Sequence, residues 1–301
     1  MTLAEKLGAA RDGLAVGPVE SRGILRATGR DRLDYLQRMC TQDLSRLGPG
    51  DSAYAAFLTT KGHLLGEGTV LVRPEEVLLD VAPQALQATR AHLEKFVIMD
   101  DVVLEDRSGD LAVLPVLGPE GASAAARVEA PRAASRRRGA PALDLYLPPG
   151  EAAAQRAALV SRGAVPLDPA DLEALRLEAG LARFGADMDA ERLPMEAGLT
   201  RDAIHFGKGC YIGQEVVLRA TVRGHLQKGL VQLELPPAAG PGARLLAGGE
   251  EVGWVTSAAQ TTRGRLGLGY LRRAHWKEGE RLATEGGEAV VRRVVVEEGT
   301  C

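Results

Sequence analysis

The sequence has few cysteines, and none of them stands at the spacing of a zinc site or a disulfide framework. Cys40, Cys210 and Cys301 are the three cysteines among 301 residues, and they lie far apart. A disulfide framework needs an even, closely spaced set, and structural zinc is typically signalled by Cys-x-x-Cys pairs. A stable iron–sulfur cluster normally takes about four ligands, mostly cysteines, so this chain is not expected to hold one. We therefore predict no metal site and expect a reducing, cytoplasmic setting.

Long apolar runs and a strong charge of one sign are also absent. No stretch approaches the roughly 20 apolar residues that cross a bilayer. The polar N-terminus, MTLAEKLGAARDG, lacks an apolar core followed by a cleavage site. The formal net charge is only −3. Because nucleic-acid binding needs a basic surface, we predict no direct nucleic-acid partner. Because no long apolar run is present, we also predict no membrane partner.

The residues that are present predict an α+β protein of several domains. A chain of 301 residues is long for one domain, and its 45% apolar and 26% charged residues are typical of a globular protein. Helix and strand patterns alternate in the first three quarters of the chain. Asp31 is predicted to cap one helix, whose apolar residues recur at a spacing of three or four, and Asp168 with Pro169 begins another, which Gly180 ends. After Gly229, apolar and polar residues alternate between glycine pairs, which predicts a small β-barrel.

The predicted division of the chain has four segments. Residues 1–110 form the first part of an α+β core, 111–165 a second α+β domain, 166–227 a helix and loop that complete the core, and 228–301 the barrel. Strands are predicted at 77–81, 111–117 and 143–147. Between the last two strands lies an alanine- and arginine-rich segment with Arg136–Arg138. Three consecutive arginines are typical of a phosphate contact or, more commonly, of a solvated loop, and we predict the loop.

The most unusual stretch is KGCYIGQE, from Lys208 to Glu215. A cysteine reacts as the thiolate, which nearby positive charge favours and negative charge opposes. Lys208 lies two residues before Cys210, whereas Glu215 acts in the opposite direction. Glycines on both sides let the backbone turn sharply or approach a ligand closely. From these residues alone, Cys210 is either a small buried apolar side chain or a reactive thiol.

KGCYIGQE resembles the signature of the YgfZ-type folate-binding proteins, relatives of the glycine-cleavage T-protein, an aminomethyltransferase. The resemblance continues through residues 176–217, through an upstream block at 27–68, and into the barrel. It implies a three-domain ring with ferredoxin-like α+β domains and a C-terminal β-barrel. It also implies that tetrahydrofolate is held in a central hole, and that the protein helps to maintain iron–sulfur enzymes.

The resemblance assigns two acidic residues to the folate. Asp144, in LDLYLP, matches a T-protein glutamate that accepts hydrogen bonds from the pterin ring, although a solvent-facing strand residue fits the same pattern. Glu67, in KGHLLGEG, matches the T-protein's catalytic aspartate and would hold the reacting nitrogens or accept a proton. Glutamate is one methylene longer than aspartate, and Asp171 stands where the T-protein has a folate-contacting arginine. These two departures favour folate binding over aminomethyl transfer.

The resemblance therefore predicts a tetrahydrofolate-binding accessory protein for the assembly or repair of iron–sulfur enzymes, with an indirect effect on tRNA modification. The alternative is a folate-dependent aminomethyl or one-carbon transferase. The expected partners are folate, as tetrahydrofolate or its 5,10-methylene or formyl form, and iron–sulfur client enzymes or assembly factors. The predicted catalytic residues are Cys210, Lys208 and Glu67. The predicted cofactor-binding residues are Asp144, Glu67, Tyr211, Gln214, Arg219 and Arg223.

Overall fold

The structure is a computed structural model that describes residues 1–223 and 225–296, with Val222 and Arg223 described by their backbone only. Cys301 lies outside the described residues. The α-helices are α1 (Leu3–Asp12), α2 (Arg32–Met39), α3 (Leu86–Phe96), α4 (Gly121–Ala125), α5 (Pro149–Ser161), α6 (Pro169–Ala179), α7 (Thr200–Ala203) and α8 (Gln214–Leu218). Among the described residues, no helix combines the length and apolar character needed to span a membrane.

The strands form two open sheets and a closed barrel. The strands of the open sheets are β1 (Ala15–Val16), β2 (Glu20–Ser21), β3 (Gly23–Thr28), β4 (Ser52–Leu58), β5 (Leu64–Val72), β6 (Val77–Val81), β7 (Val103–Asp106), β8 (Ala112–Leu117), β9 (Arg132–Ala134), β10 (Ala142–Leu147) and β11 (Val165–Pro166). The barrel strands are β12 (Lys228–Glu234), β13 (Arg244–Ala247), β14 (Glu250–Thr261), β15 (Gly264–Arg272), β16 (Arg281–Thr284) and β17 (Gly287–Val294). The α+β fold class and the C-terminal barrel are thereby confirmed.

The barrel closes in the strand order β12-β15-β14-β13-β16-β17. Neighbouring strands are antiparallel, with Lys228 opposite Arg272 at one end of the β12–β15 pair. Alternate side chains such as Val231 and Leu233 point into a core that contains Leu245. The alternation that predicted strands in this region arises because successive side chains of a strand point to opposite faces.

One open sheet has the order β4-β5-β6-β3-β7. Leu36 of α2 and Leu93 of α3 belong to the same buried core as Phe57 and Leu79 of the sheet. The helix predicted after Asp31 is confirmed, but the Asp31 side chain makes no capping hydrogen bond. Amphipathic spacing alone therefore placed this helix correctly, since it is the buried face that fixes the helix on the sheet.

The other open sheet has the order β11-β1-β8-β10-β9, with β2 also paired to β8. Ala15 lies opposite Leu117, and Glu20 lies opposite Val113, so the first strands of the chain join the sheet built mainly from residues after 111. Segment 1–110 thus contributes strands to both open sheets. The four-segment division itself stays a prediction.

Helix α6 follows the predicted start and end signals closely. The Asp168 side chain accepts hydrogen bonds from the backbone N–H groups of Ala170 and Asp171, and Asp171 returns the bond in a capping box. Gly180 ends the helix with φ of 71°, a left-handed conformation that favours glycine. Asp171, the position of the charge reversal noted above, is also paired with Lys6 at 2.7 Å. The Asp171 carboxylate therefore stabilises the first turn of α6.

Candidate functional site

A cavity of about 500 Å³ lies where β2, β5 and α6 approach one another. This volume falls within the range of ordinary small-molecule sites. The first turn of α6 supplies Pro169, Leu172 and Glu173, and the loop after α6 supplies the opposite wall. The cavity is lined by residues 18–22, 67, 82–84, 137–138, 169, 172–173 and 182–186.

Glu67 contributes a nearly buried carboxylate to this cavity, with 3% of the residue exposed. The Tyr54 hydroxyl donates a hydrogen bond to Glu67 Oε2 at 2.6 Å. Burial and the adjacent Glu67 carboxylate raise the pKa of Tyr54, so the phenol stays protonated and remains a donor. Glu67 Oε1 accepts no hydrogen bond from the part of the chain that the structure describes. Glu67 therefore offers one acceptor oxygen to a ligand.

A buried network of ion pairs forms the wall between the two open sheets. Asp80, on β6, accepts hydrogen bonds from Arg22 at 2.7 Å and from Arg137 at 2.8 and 3.1 Å. It also accepts a bond from the Tyr146 hydroxyl at 3.0 Å. Burial alone would raise the pKa of Asp80, but Arg137 and Arg22 hold it well below its usual value. Asp80 is therefore a charged structural residue.

Asp144, on β10, belongs to the same network and is fully buried. Arg137 binds its Oδ2 and Arg138 its Oδ1, each at 2.8 Å, and Arg138 also holds Glu20. Burial opposes the charge of Asp144, yet the two arginines keep its pKa below the usual value. Asp144 is not among the residues that line the cavity. Both oxygens needed for the predicted pterin contacts already carry ion pairs.

The prediction that Arg136–Arg138 form a solvated loop is wrong for two of the three arginines. Arg138 is buried, and Arg137 bridges Asp80 and Asp144. The two guanidinium groups lie inside the protein because the buried carboxylates of Asp80 and Asp144, on two different sheets, need counter-charges. No local pattern in the sequence could reveal this, since Asp80 and Arg137 are 57 residues apart.

The KGCYIGQE loop lies on the C-terminal end of α2. The Lys208 ammonium is largely buried and donates to the carbonyl oxygens of Gln37, Cys40 and Gln42 at 2.6, 2.9 and 2.6 Å. Ile212 N–H donates to the carbonyl of Arg38 at 3.1 Å, again on α2. Burial lowers the pKa of Lys208. The bonds to Gln37 and Arg38 satisfy carbonyls that the end of α2 leaves without partners, and together these bonds fix the loop on both sides of the cysteine.

Cys210 itself is exposed, whereas Cys40 is buried. Cys210 is not among the residues that line the cavity around Glu67. Gly213, which follows in the loop, has φ of 85°, and a Cβ there would lie 2.9 Å from the carbonyl oxygen of Thr59. Glycine thus lets this turn pack closely against the segment that leads into β5. The thiol faces solvent on a loop that is well anchored.

The other predicted cofactor-binding residues lie near this loop. Tyr211 is buried beneath Lys208, with the ammonium 5.3 Å from the ring centre, and burial raises the pKa of Tyr211 to about 12. Gln214 begins α8, and Arg219, on the protein surface, pairs with Glu215 at 2.5 Å. The side chain of Arg223 lies outside the described part of the structure. Of the predicted site residues whose side chains are described, Glu67 alone lines the cavity.

Comparisons with known proteins decide the family. Residues 2–137 match the GCVT N-terminal domain, and residues 228–298 match the glycine cleavage T-protein C-terminal barrel domain. A protein of Rubrobacter xylanophilus described as an aminomethyltransferase is 32% identical over 279 residues, which cover 84% of this chain and 74% of the relative. This chain belongs to the glycine cleavage T-protein family.

Two further relatives bear on the fold and the type of family member. The crystal structure of the glycine cleavage system aminomethyltransferase T from Bartonella henselae aligns with a TM-score of 0.81 at 21% identity, covering 98% of this chain and 90% of that one. At this identity the match supports the shared fold. A tRNA-modifying protein YgfZ from Yersinia pestis is 28% identical over 241 residues, 75% of this chain and 71% of the relative. Relatives of both types thus share most of the chain.

Residues that the sequence analysis did not select complete the site. Tyr54 orients Glu67, and Arg22 and Arg137 build the wall around Asp80. Tyr54 lies on a strand that pairs antiparallel with β5. Alternation along β4 could have placed Tyr54 on the Glu67 side, but the register between the two strands was needed to choose the partner.

Proposed function

We propose that this protein binds tetrahydrofolate in the cavity beside Glu67 and acts as an accessory factor in the assembly or repair of iron–sulfur enzymes. The observation that carries the binding proposal is the single acceptor oxygen of a nearly buried carboxylate, at the wall of a cavity of about 500 Å³. Reduced pterins present ring N–H and amino donors that match such an acceptor. Membership of the T-protein family supports the choice of folate.

Glu67 and the ion-pair network around Asp80 and Asp144 have different roles in the proposed binding. Tyr54 holds one oxygen of Glu67, so the other points to the ligand with little freedom to turn away. The network around Asp80 and Asp144 keeps three arginines in the cavity wall without presenting an unpaired charge. Tetrahydrofolate carries one-carbon units on its N5 and N10 atoms when bound.

The accessory role is supported by the position of Cys210. A thiol that served folate chemistry would have to reach the cavity, but Cys210 faces solvent outside the cavity lining. An exposed thiol on an anchored loop suits contact with another protein, such as an iron–sulfur client or an assembly factor. The YgfZ relative, named as tRNA-modifying, supports an effect on tRNA that passes through such an enzyme. Direct RNA binding is not part of the proposal.

Replacing Glu67 with alanine tests the binding proposal. In an anaerobic titration followed by calorimetry, the wild-type protein should bind tetrahydrofolate, and Glu67→Ala should bind at least about tenfold more weakly. A hydrogen bond to a charged acceptor contributes about 1.5–3 kcal/mol, and about 1.4 kcal/mol corresponds to one factor of ten. Glu215→Ala, at an exposed position on α8, is the matched control and should bind like the wild type. Equal affinities for the wild type and Glu67→Ala would rule out this site.

The second candidate is a true aminomethyltransferase, favoured by the 32% identical relative of that description. The two candidates differ in what Cys210 does. For an accessory protein, we expect Cys210→Ala to bind folate normally but to leave iron–sulfur enzyme activity low in a strain that lacks the native gene. For a transferase, the protein should form methylene-tetrahydrofolate from an aminomethyl donor, in a reaction that needs Glu67 and not Cys210. Product formation of that kind would reverse our preference.

A further inference from the structure

A second cavity, of about 580 Å³, adjoins the first on the side of the barrel. Its far wall contains Trp254, Thr256 and Ser257 of β14. Glu173, Arg183, Gly185 and Ala186 line both cavities. A ligand bound at Glu67 and longer than one ring system can therefore extend past Arg183 toward the barrel.

Arg183 differs from the other arginines of the first cavity. Arg22, Arg137 and Arg138 are largely buried and are paired with Asp80, Asp144 or Glu20. The Arg183 side chain, in contrast, is 56% exposed and is paired with Glu173 at 3.0 Å. The other two guanidinium nitrogens of Arg183 have no hydrogen bond to the described residues, and its backbone N–H donates to Asp187. It is thus the cavity arginine whose guanidinium is open to an incoming anion.

The pair with Glu173 does not prevent Arg183 from changing partner. Glu173 is also held by Arg176, which donates to both of its oxygens at 2.6 and 3.0 Å. This bidentate pair is more buried than the Arg183 contact, and planar fork geometry makes it the stronger one. Glu173 therefore keeps a counter-charge when Arg183 turns to a ligand. Arg183 can exchange one carboxylate for another at little cost.

We propose that Arg183 receives a carboxylate of the glutamyl tail of the folate, with the tail lying toward the second cavity. The proposal rests on the proposed folate site, since it concerns the other end of the same ligand. Folate needs such a group because its tail carries two carboxylates, and arginine binds carboxylates in a planar, two-point geometry. Arg219, which the sequence analysis selected for the ligand, is paired with Glu215 and does not line either cavity. Asp171 is bound to Lys6 and is itself an anion.

Two ligands and three variants test this inference. Tetrahydrofolate and 6-methyltetrahydropterin, which lacks the benzoylglutamate and carries no carboxylate, are each titrated into the wild type, Arg183→Gln, Arg183→Lys and Arg219→Gln. We expect Arg183→Gln to weaken tetrahydrofolate binding about tenfold or more and to leave 6-methyltetrahydropterin binding unchanged. Arg183→Lys should recover part of the loss because it keeps the charge, and Arg219→Gln should bind both ligands like the wild type.

Three results would overturn the inference, and each is distinct from failure of the folate site itself. Wild-type affinity of Arg183→Gln for tetrahydrofolate would remove Arg183 from the site. An equal loss for both ligands would show that Arg183 shapes the cavity without binding the tail. A loss that is selective for tetrahydrofolate in Arg219→Gln would move the tail to the other arginine. If the wild type bound neither ligand, the proposed function would fail first.

Discussion

Replacing Asp80 with asparagine should lower the free energy of unfolding by about 3–5 kcal/mol. Asp80 is nearly inaccessible to solvent and neutralises Arg22 and Arg137, which are themselves buried. The substitution leaves Arg22 without its carboxylate partner in a medium of low polarity, whereas Arg137 keeps Asp144. Breaking a buried ion pair in this way costs about this much. Asparagine keeps the shape of aspartate but removes the charge and replaces one acceptor oxygen with an amide donor, so the loss would reflect both changes. Urea denaturation of the wild type and Asp80→Asn gives the difference directly.

Asp110→Asn is the matched control, because Asp110 forms an exposed pair with Arg107. Exposed pairs contribute about 0–1 kcal/mol, so this variant should unfold close to the wild-type midpoint. The pKa of Asp80 is lowered in the folded state, so its stabilisation is present above the unfolded pKa and is lost as pH falls through the folded pKa. The difference in the free energy of unfolding between the wild type and Asp80→Asn should therefore become smaller below about pH 4. A loss under about 1 kcal/mol at neutral pH would contradict the assigned role.

Replacing Lys208 with methionine should cost about 2–4 kcal/mol of stability. Methionine has a similar length but donates no hydrogen bond, so the carbonyls of Gln37, Cys40 and Gln42 would each lose the bond from the ammonium. Each charge-assisted bond contributes about 1.5–3 kcal/mol, and release of the buried ammonium offsets part of the total. We also expect faster proteolysis of the loop around Cys210, because one of its two anchors is lost. Denaturation midpoints and limited proteolysis measure the two effects.

Lys61→Met is the control for this substitution, since Lys61 is exposed on the turn before β5. A surface change of this kind typically alters stability by less than about 0.5 kcal/mol. If both lysine variants unfolded alike, Lys208 would not be an anchor. If Lys208→Met were stable and also bound folate normally, but failed to support iron–sulfur enzymes, a direct role of the ammonium at Cys210 would be favoured instead.

Local signals located α2, α6 and the barrel of this protein well. Asp168, Pro169 and Gly180 bounded α6 because capping groups and a left-handed glycine act within a few residues of one another. Strand alternation in the last quarter indicated the barrel for the same reason. The pairing of the N-terminal strands with β8 was not foreseen, since it joins residues about 100 positions apart and a two-residue strand carries almost no periodic signal.

Among the site residues, Glu67 was selected by its resemblance to a family position, and the structure places it in the cavity. Asp144 was selected in the same way, yet the fold surrounds it with Arg137 and Arg138. A motif specifies which side chain is present, but the charges that surround it come from other parts of the chain. Arg183 is the opposite case. No motif around it indicated a role in ligand binding, and it became a candidate only because it lines two adjoining cavities.

The sequence by itself determined the α+β class, the barrel, the capped helix α6 and the likeness to the T-protein family, because these follow from spacing over short distances and from continuous motifs. Only the tertiary structure decided that Lys208 holds a helix end, that Cys210 faces solvent, and which of the arginines that line the first cavity is exposed. Burial and charge pairing depend on contacts between distant residues, and those contacts exist only once the sheets have packed together.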